Sequence, residues 1–266
     1  MPQPTGQTVS LKRQSSGDWS RLAKTYAAGT VVASHAHSAG QLLFITQGVL
    51  LVETERARWT VPPQQSLWLP PGQKHGFYAA SQTVLRALYL DAPWIEDVQA
   101  RFLRVNEVHA IAVAPLLREL VLGLFDPRLD APVQRSMLGL VLQLLPRMAN
   151  LPTNLPMPAS ERLRHAAMAV LEEGAWDQPL HMVAALAHMS ERSFTRNFKH
   201  EVGLTFRAWR QRARLIVSLD LLNAGHSVKH IALALGFASP AAFVSAFRQL
   251  FGSTPGAFGS SADLGG

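Results

Sequence analysis

Three histidines and one basic run are the parts of this sequence best equipped for chemistry. A neutral imidazole is both a transition-metal ligand and a hydrogen-bonding partner for polar ligands. His35 and His37 are two positions apart, so on an extended strand their rings fall on the same face. Gln41 follows with a neutral side-chain oxygen, and His75 comes after the turn-forming run Pro70-Pro71-Gly72. The chain has no cysteine, which excludes disulfides, thiolate metal sites and a cysteine nucleophile and agrees with a reducing cytoplasm.

The basic run lies between Ser190 and Arg214. Arg192, Arg196, Lys199, Arg207, Arg210, Arg212 and Arg214 stand there against Glu191 and Glu201, so most of the net charge of +7 is in this stretch. A surplus concentrated in this way favours a polyanionic partner. Phe194 and Phe198 are an i,i+4 pair that would face inward on a helix, leaving Arg192, Ser193, Thr195, Arg196 and Lys199 outward. Further on, Phe243, Phe247 and Leu250 would face inward, leaving Pro240, Ala241, Val244, Ser245 and Arg248 outward.

Elements must hold these residues in place. At 266 residues and 48% hydrophobic composition, two domains with a sizeable core are expected. Short apolar runs at 30–33, 42–46, 49–53, 66–69 and 84–90, broken by Gly and Pro, predict a small β barrel or sandwich. Helical spacing then predicts helices over 107–125, through Leu116, Leu120 and Leu124, and over 132–149, through Leu138, Val141, Leu142 and Leu145. Three prolines between Leu151 and Pro158 cannot continue a helix, and a stiff linker is expected there. From Ser160 the chain reads as helices at 161–173, 181–188, 190–200, 205–223, 228–235 and 239–251. No apolar run approaches the roughly 20 residues of a membrane span, and no secretory signal is expected at the N-terminus. A cytoplasmic protein with no membrane partner is the expectation.

Two segments, at 181–203 and 228–252, share one plan: a short apolar helix, a turn, then a longer helix opened by Ser190 or Ser239. The linked patterns S-x-R-x-F-x-R-x-F-K-x-E-x-G at Ser190–Gly203, I-A-x-x-L-G-F-A-S at Ile231–Ser239 and F-x-x-x-F-R-x-x-F-G-x-T-P at Phe243–Pro255 closely resemble the AraC/XylS regulators. That resemblance implies two helix-turn-helix units, joined by a long helix, that read adjacent major-groove segments of promoter or operator DNA. Carried over, Arg192, Ser193, Thr195 and Arg196 correspond to the first reading face and Lys199 to a phosphate contact. Ala241, Ala242, Ser245 and Arg248 correspond to the second. Alanines offer a thymine methyl a surface but no side-chain hydrogen bond, so sequence discrimination should lean on the first unit.

Gly29-(5)-His35-x-His37-(3)-Gln41-(6)-Gly48 and Pro70-x-Gly72-(2)-His75 resemble the two cupin motifs. The resemblance implies that His35, His37, Gln41 and His75 converge inside a small barrel, on a Fe, Mn, Ni, Co or Zn ion or on a polar ligand without metal. Gln41 stands where a Glu is usual, Gln64 where a Gly opens the second motif, and Ala79 where an Asn closes it. A neutral amide leaves a bound cation uncompensated and should weaken its affinity. Trp59, Trp68, Phe77 and Tyr78 flank these positions, as barrel core or as ligand walls.

The expected architecture is therefore α+β with two domains. A cupin-like sensing barrel spans 1–105, a helical hairpin for dimerisation and linkage 106–150, and an all-α double helix-turn-helix domain 159–258. The expected function is that of a sequence-specific, non-enzymatic transcription regulator, a homodimer controlled by a small ligand or metal. The other classes are a metal-dependent cupin enzyme of dioxygenase or isomerase type, disfavoured by the missing carboxylate, and a non-specific structural DNA binder.

Overall fold

The computed structural model describes residues 14–15, 18–63, 65–92, 94, 96, 106–148 and 150–260. The chain forms two compact units, Met1–Thr54 with Val61–Pro152, and Glu55–Thr60 with Thr153–Gly266.

In the first unit the strands are β1 (Gln14–Ser15), β2 (Trp19–Tyr26), β3 (Val31–His35), β4 (Gly40–Gln47) and β5 (Leu50–Thr54), then β6 (Ala57–Val61), which runs across the division, and β7 (Gln65–Leu69), β8 (His75–Ala79), β9 (Thr83–Leu90), β10 (His109–Ala112) and β11 (Asn150–Leu151). One sheet runs β1-β2-β9-β4-β7-β10-β11, and in the other β8 lies between β5 and β3. Alternation along β4 and β9 sorts their residues. Gln41 pairs with Tyr89 and Leu43 with Ala87 on one face, Leu42 with Leu88 on the other. That second face, with Phe44, Trp68 and Ile111, closes over Leu117, Val121, Leu124, Leu138, Val141 and Leu142 of a helical hairpin. Because both faces of these strands are covered, they read as nearly continuous apolar runs, a pattern that a strict period-two search undercounts.

The hairpin is α1 (Pro115–Gly123) and α2 (Ala131–Leu144), followed by a 3-10 turn at Leu145–Arg147. Its first helix is shorter than expected. Residues 109–112 pair with β7 as a strand, and the helix starts at Pro115, a residue suited to a first turn. Leu124 is buried as expected, but Leu117 and Val121 are inside in place of Leu116, which is 62% exposed, and the half-buried Leu120. In α2 the expected residues Leu138, Val141, Leu142 and Leu145 are all buried. Asp130 caps it by accepting from the Val133 amide at 3.0 Å.

In the second unit, β12 (Asn154–Pro156) pairs antiparallel with residues 57–59 of β6. The proline-rich segment expected to be a linker is thus a docked strand. Proline forbids helix but is tolerated at a sheet edge, and here Leu155 and Met157 are buried. The Trp209 indole donates to the Pro156 carbonyl at 2.8 Å and Arg212 Nε to the Asn154 carbonyl at 2.8 Å. Among the described residues seven helices follow: α3 (Glu161–Glu173), α4 (Leu180–Leu186), α5 (Glu191–Val202), α6 (Phe206–Asn223), α7 (Val228–Ala234), α8 (Pro240–Phe251) and α9 (Pro255–Ser260). They share one apolar core around Leu163, Val170, Phe194, Phe198, Trp209, Ile231, Phe243 and Phe247. Among the described residues no helix is long and apolar enough to cross a membrane.

Candidate effector and DNA-binding sites

The three histidines converge. His35 ends β3 and lies opposite His75, the first residue of β8, while His37 sits two residues beyond the end of its strand. One ring nitrogen from each lies within 4.8 Å of the others. The ring centroids of His35 and His75 are 4.5 Å apart, and those of His37 and His75 are 5.2 Å apart. Gly76 is what allows β3 and β8 this approach, since a Cβ there would stand 2.9 Å from the Val32 carbonyl. The Gly72 amide donates to the His37 carbonyl at 2.9 Å, so the Pro-Pro-Gly turn holds the backbone of the first motif.

Each ring is fixed from behind by its own chain. The Nδ1 atoms of His35, His37 and His75 lie 3.0, 2.7 and 2.9 Å from the carbonyls of Ala33, Ala39 and Gln73. A carbonyl can only accept, so Nδ1 carries the proton and Nε2 is left with a lone pair. Such backing is what orients imidazoles for ligation. Gln41 is buried, and its Oε1 is 3.0 Å from His37 Nε2, so two acceptors face one another there and the contact is favourable with a cation or a proton between them. The buried His75 is pushed down from its ordinary 6.5 to about 4, first by burial, against the Gln73 carbonyl, and then by His35 and His37. A carboxylate at position 41 would oppose that shift, whereas Gln41 brings no charge.

Of the flanking aromatics, Trp68 points away from the histidines into the core under the helical hairpin, and Trp59 is a buried residue beside β12. Phe77 packs edge-on against Tyr26 at 5.1 Å, and Tyr78 is exposed. Gln64 lies outside the described residues. The aromatic that does meet the site is Tyr89, 5.3 Å from the His37 ring. Sequence reasoning passed over it because only the register Gln41–Tyr89 reveals which face it takes.

The two helix-turn-helix units repeat each other in detail. Ser190 opens α5 by accepting from the Ser193 amide, Ser239 opens α8 by accepting from the Ala242 amide, and Gly203 and Gly252 close the two helices with left-handed backbones. Phe194 and Phe198 are buried on α5, as are Phe243 and Phe247 on α8. The outward residues Arg192, Thr195, Arg196 and Lys199 are exposed, with Ser193 half-buried through its contact with Ser190. On α8, Ala241, Ala242, Ser245 and Arg248 are exposed, whereas Val244, expected outward, is half-buried against the core.

The basic run itself splits in two. Arg210, Arg212 and Arg214 do not face solvent with the others. Arg210 Nη1 donates to the Gln178 carbonyl at 2.7 Å, and Arg212 grips Asn154. Arg214 donates to the carbonyls of Gly236 at 3.1 Å and Trp176 at 2.5 Å. These cations are internal braces, and the exposed charge is that of Arg192, Arg196, Lys199 and Arg207.

A barrel with a histidine cluster, followed by paired helix-turn-helix units, defines a ligand-binding transcription regulator. Residues 20–145 match the AraC-like ligand binding domain and residues 183–261 a helix-turn-helix domain. The chain is 30% identical over 231 residues to the HTH-type transcriptional regulator NimR of Escherichia coli, covering 84% of this chain and 81% of that one. It is 28% identical to the regulator RipA of Corynebacterium glutamicum over 63% of this chain and 52% of RipA. A crystal structure of ToxT from Vibrio cholerae aligns with 92% of this chain and 98% of its own at 10% identity, with a TM-score of 0.39. The chain belongs to the AraC-type family of helix-turn-helix transcriptional regulators.

Proposed function

We propose that the histidine cluster is the effector centre of this regulator, a divalent transition-metal site built from His35, His37 and His75 with Gln41 as a neutral oxygen ligand. The observation that carries this reading is the convergence of three rings whose Nδ1 atoms are all committed to backbone carbonyls, leaving three Nε2 lone pairs for one acceptor. The 3.0 Å between His37 Nε2 and Gln41 Oε1 also suits two ligands on one ion, for which bond lengths of about 2.1 Å give separations of about 3.0–3.4 Å. Fe, Mn, Ni, Co and Zn all accept such a donor set. A bound ion would supply a positive centre for a polar or anionic effector.

The DNA-reading surface in this proposal is Arg192, Ser193, Thr195 and Arg196, with Lys199 on phosphate, followed by Ala241, Ala242, Ser245 and Arg248. The protein acts in the cytoplasm as a homodimer through α1 and α2. Arg196→Ala should cost about 1–3 kcal/mol on specific DNA and flatten base preference at one position, whereas Lys199→Ala should weaken all sequences alike and lower the salt slope by about 1. Anisotropy titrations on specific and random duplexes separate these outcomes.

The overall test joins elemental analysis of the purified protein to footprinting of its upstream DNA before and after chelation. Stoichiometric metal whose removal changes the footprint supports the reading. Metal-free protein that responds instead to an organic ligand would replace the ion with a polar effector seated on the same rings.

A further inference from the structure

α6 carries the chain from the first helix-turn-helix unit to the second, and both units pack against one apolar core. Arg214, near the middle of this helix, adds a directional polar constraint to that packing. One arm of its guanidinium, Nη1, donates to the carbonyl of Gly236, in the turn between α7 and α8. The other arm, Nη2, donates to the Trp176 carbonyl and lies 2.9 Å from Asp177 Oδ1, in the loop between α3 and α4. A single planar, always-charged group thus holds the turn of the second unit against the entry loop of the first. Its side chain is only 13% exposed, and its face lies over the Phe237 ring, 5.8 Å from the centroid.

The turn is shaped for this junction. Gly236 has φ +68°, and a Cβ there would stand 2.9 Å from Asp177 Oδ2. The equivalent turn of the first unit reaches the left-handed region with His188 at φ +54°, where glycine's freedom is not taken up. Glycine at 236 therefore answers the left-handed backbone of the turn, and the close approach it allows is to the end of the exposed Asp177 side chain. Arg210, one helical turn earlier, donates to the Gln178 carbonyl and lies over the Phe206 ring, so it braces the first loop without crossing to the second unit.

We infer that Arg214, with Asp177 and Gly236, is a positioning device that sets the spacing and angular phase of α5 and α8, and hence which separation of two major-groove segments the protein accepts. The inference rests on the reading that both α5 and α8 enter DNA. One inserted base pair shifts the second segment by about 3.4 Å and roughly 35°, more than a rigid pair of reading helices tolerates.

The test uses full-length protein and a duplex selected by that protein from a random-sequence pool, together with derivatives carrying one base pair added or removed between the two protected segments. Binding is measured for the parent, Arg214→Lys and Asp177→Ala, at a temperature where circular dichroism shows each to be folded. The parent should lose at least tenfold on either derivative. The variants should bind the selected duplex about three- to tenfold less tightly, yet lose less than threefold more on changing the spacing. Asp177 is a surface carboxylate, so Asp177→Ala keeps the comparison open if Arg214→Lys melts too early. Variants that weaken all three duplexes by one common factor would show a merely structural arginine and overturn the inference. A parent indifferent to spacing would instead sink the two-helix reading beneath it, and the inference with it.

Discussion

At the scale of single residues, conformation and protonation give the sharpest expectations. His188 holds a left-handed backbone at φ +54° in the turn before α5. A non-glycine residue is strained there, and glycine relieves the strain while adding unfolded-state freedom. His188→Gly should raise stability by about 0.5–1 kcal/mol net, seen as a higher Tm. For His75 the folded value of about 4 lies below its ordinary 6.5. As pH falls below about 6.5 the unfolded chain takes up a proton that the folded chain refuses, so stability declines until about pH 4 and then levels off. In chelated protein this contribution should approach about 3 kcal/mol, and an imidazole NMR titration should place the His75 midpoint near 4.

At the scale of elements, α2 carries more apolar surface than its own unit covers. Val133 is 43% and Leu140 49% exposed, and Met137 and Leu144, at matching helical spacing, are only partly buried. That stripe supports the homodimer proposed above. Leu140→Glu should convert a dimer to a monomer in sedimentation velocity while leaving far-UV circular dichroism unchanged, because Leu140 contributes little to the buried face. The same element shows where sequence reading succeeded and failed. The interior of α2 was legible from Leu138, Val141, Leu142 and Leu145 because one face of a helix repeats. The start of α1 was not, because His109–Ala112 pairs with a strand about forty residues earlier, a long-range fact that no local period encodes.

At the scale of the whole molecule, the two units have separate apolar cores, one under the helical hairpin and one around Phe198 and Trp209. Damage to the histidine centre should therefore not spread into the DNA-binding helices. His35→Ala combined with His75→Ala should abolish the metal- or ligand-dependent change in the footprint, while basal affinity in gel-shift titration stays within about twofold. A double variant that responds normally would remove the cluster from sensing. Much of this architecture was visible in spacing: β3, β4, β5, β7 and β9, six of the C-terminal helices and the four residues of the cluster, but not β2, β6 or β8. What stayed hidden depended on pairing register and side-chain direction. Tyr89 is one example, the strand made by Asn154–Pro156 another, and the burial of Arg210, Arg212 and Arg214 a third.

Those three arginines have a consequence for how such a sequence can drift. Their acceptors are chiefly main-chain carbonyls, at Asn154, Trp176, Gln178 and Gly236, and a carbonyl is present whichever amino acid occupies the position. Selection therefore grips one partner of each contact and leaves the other loose. Residue 178 is free to vary without compensation, so covariation between relatives would leave that brace unseen, whereas Asn154 also offers its side-chain Oδ1 to Arg212 Nη2.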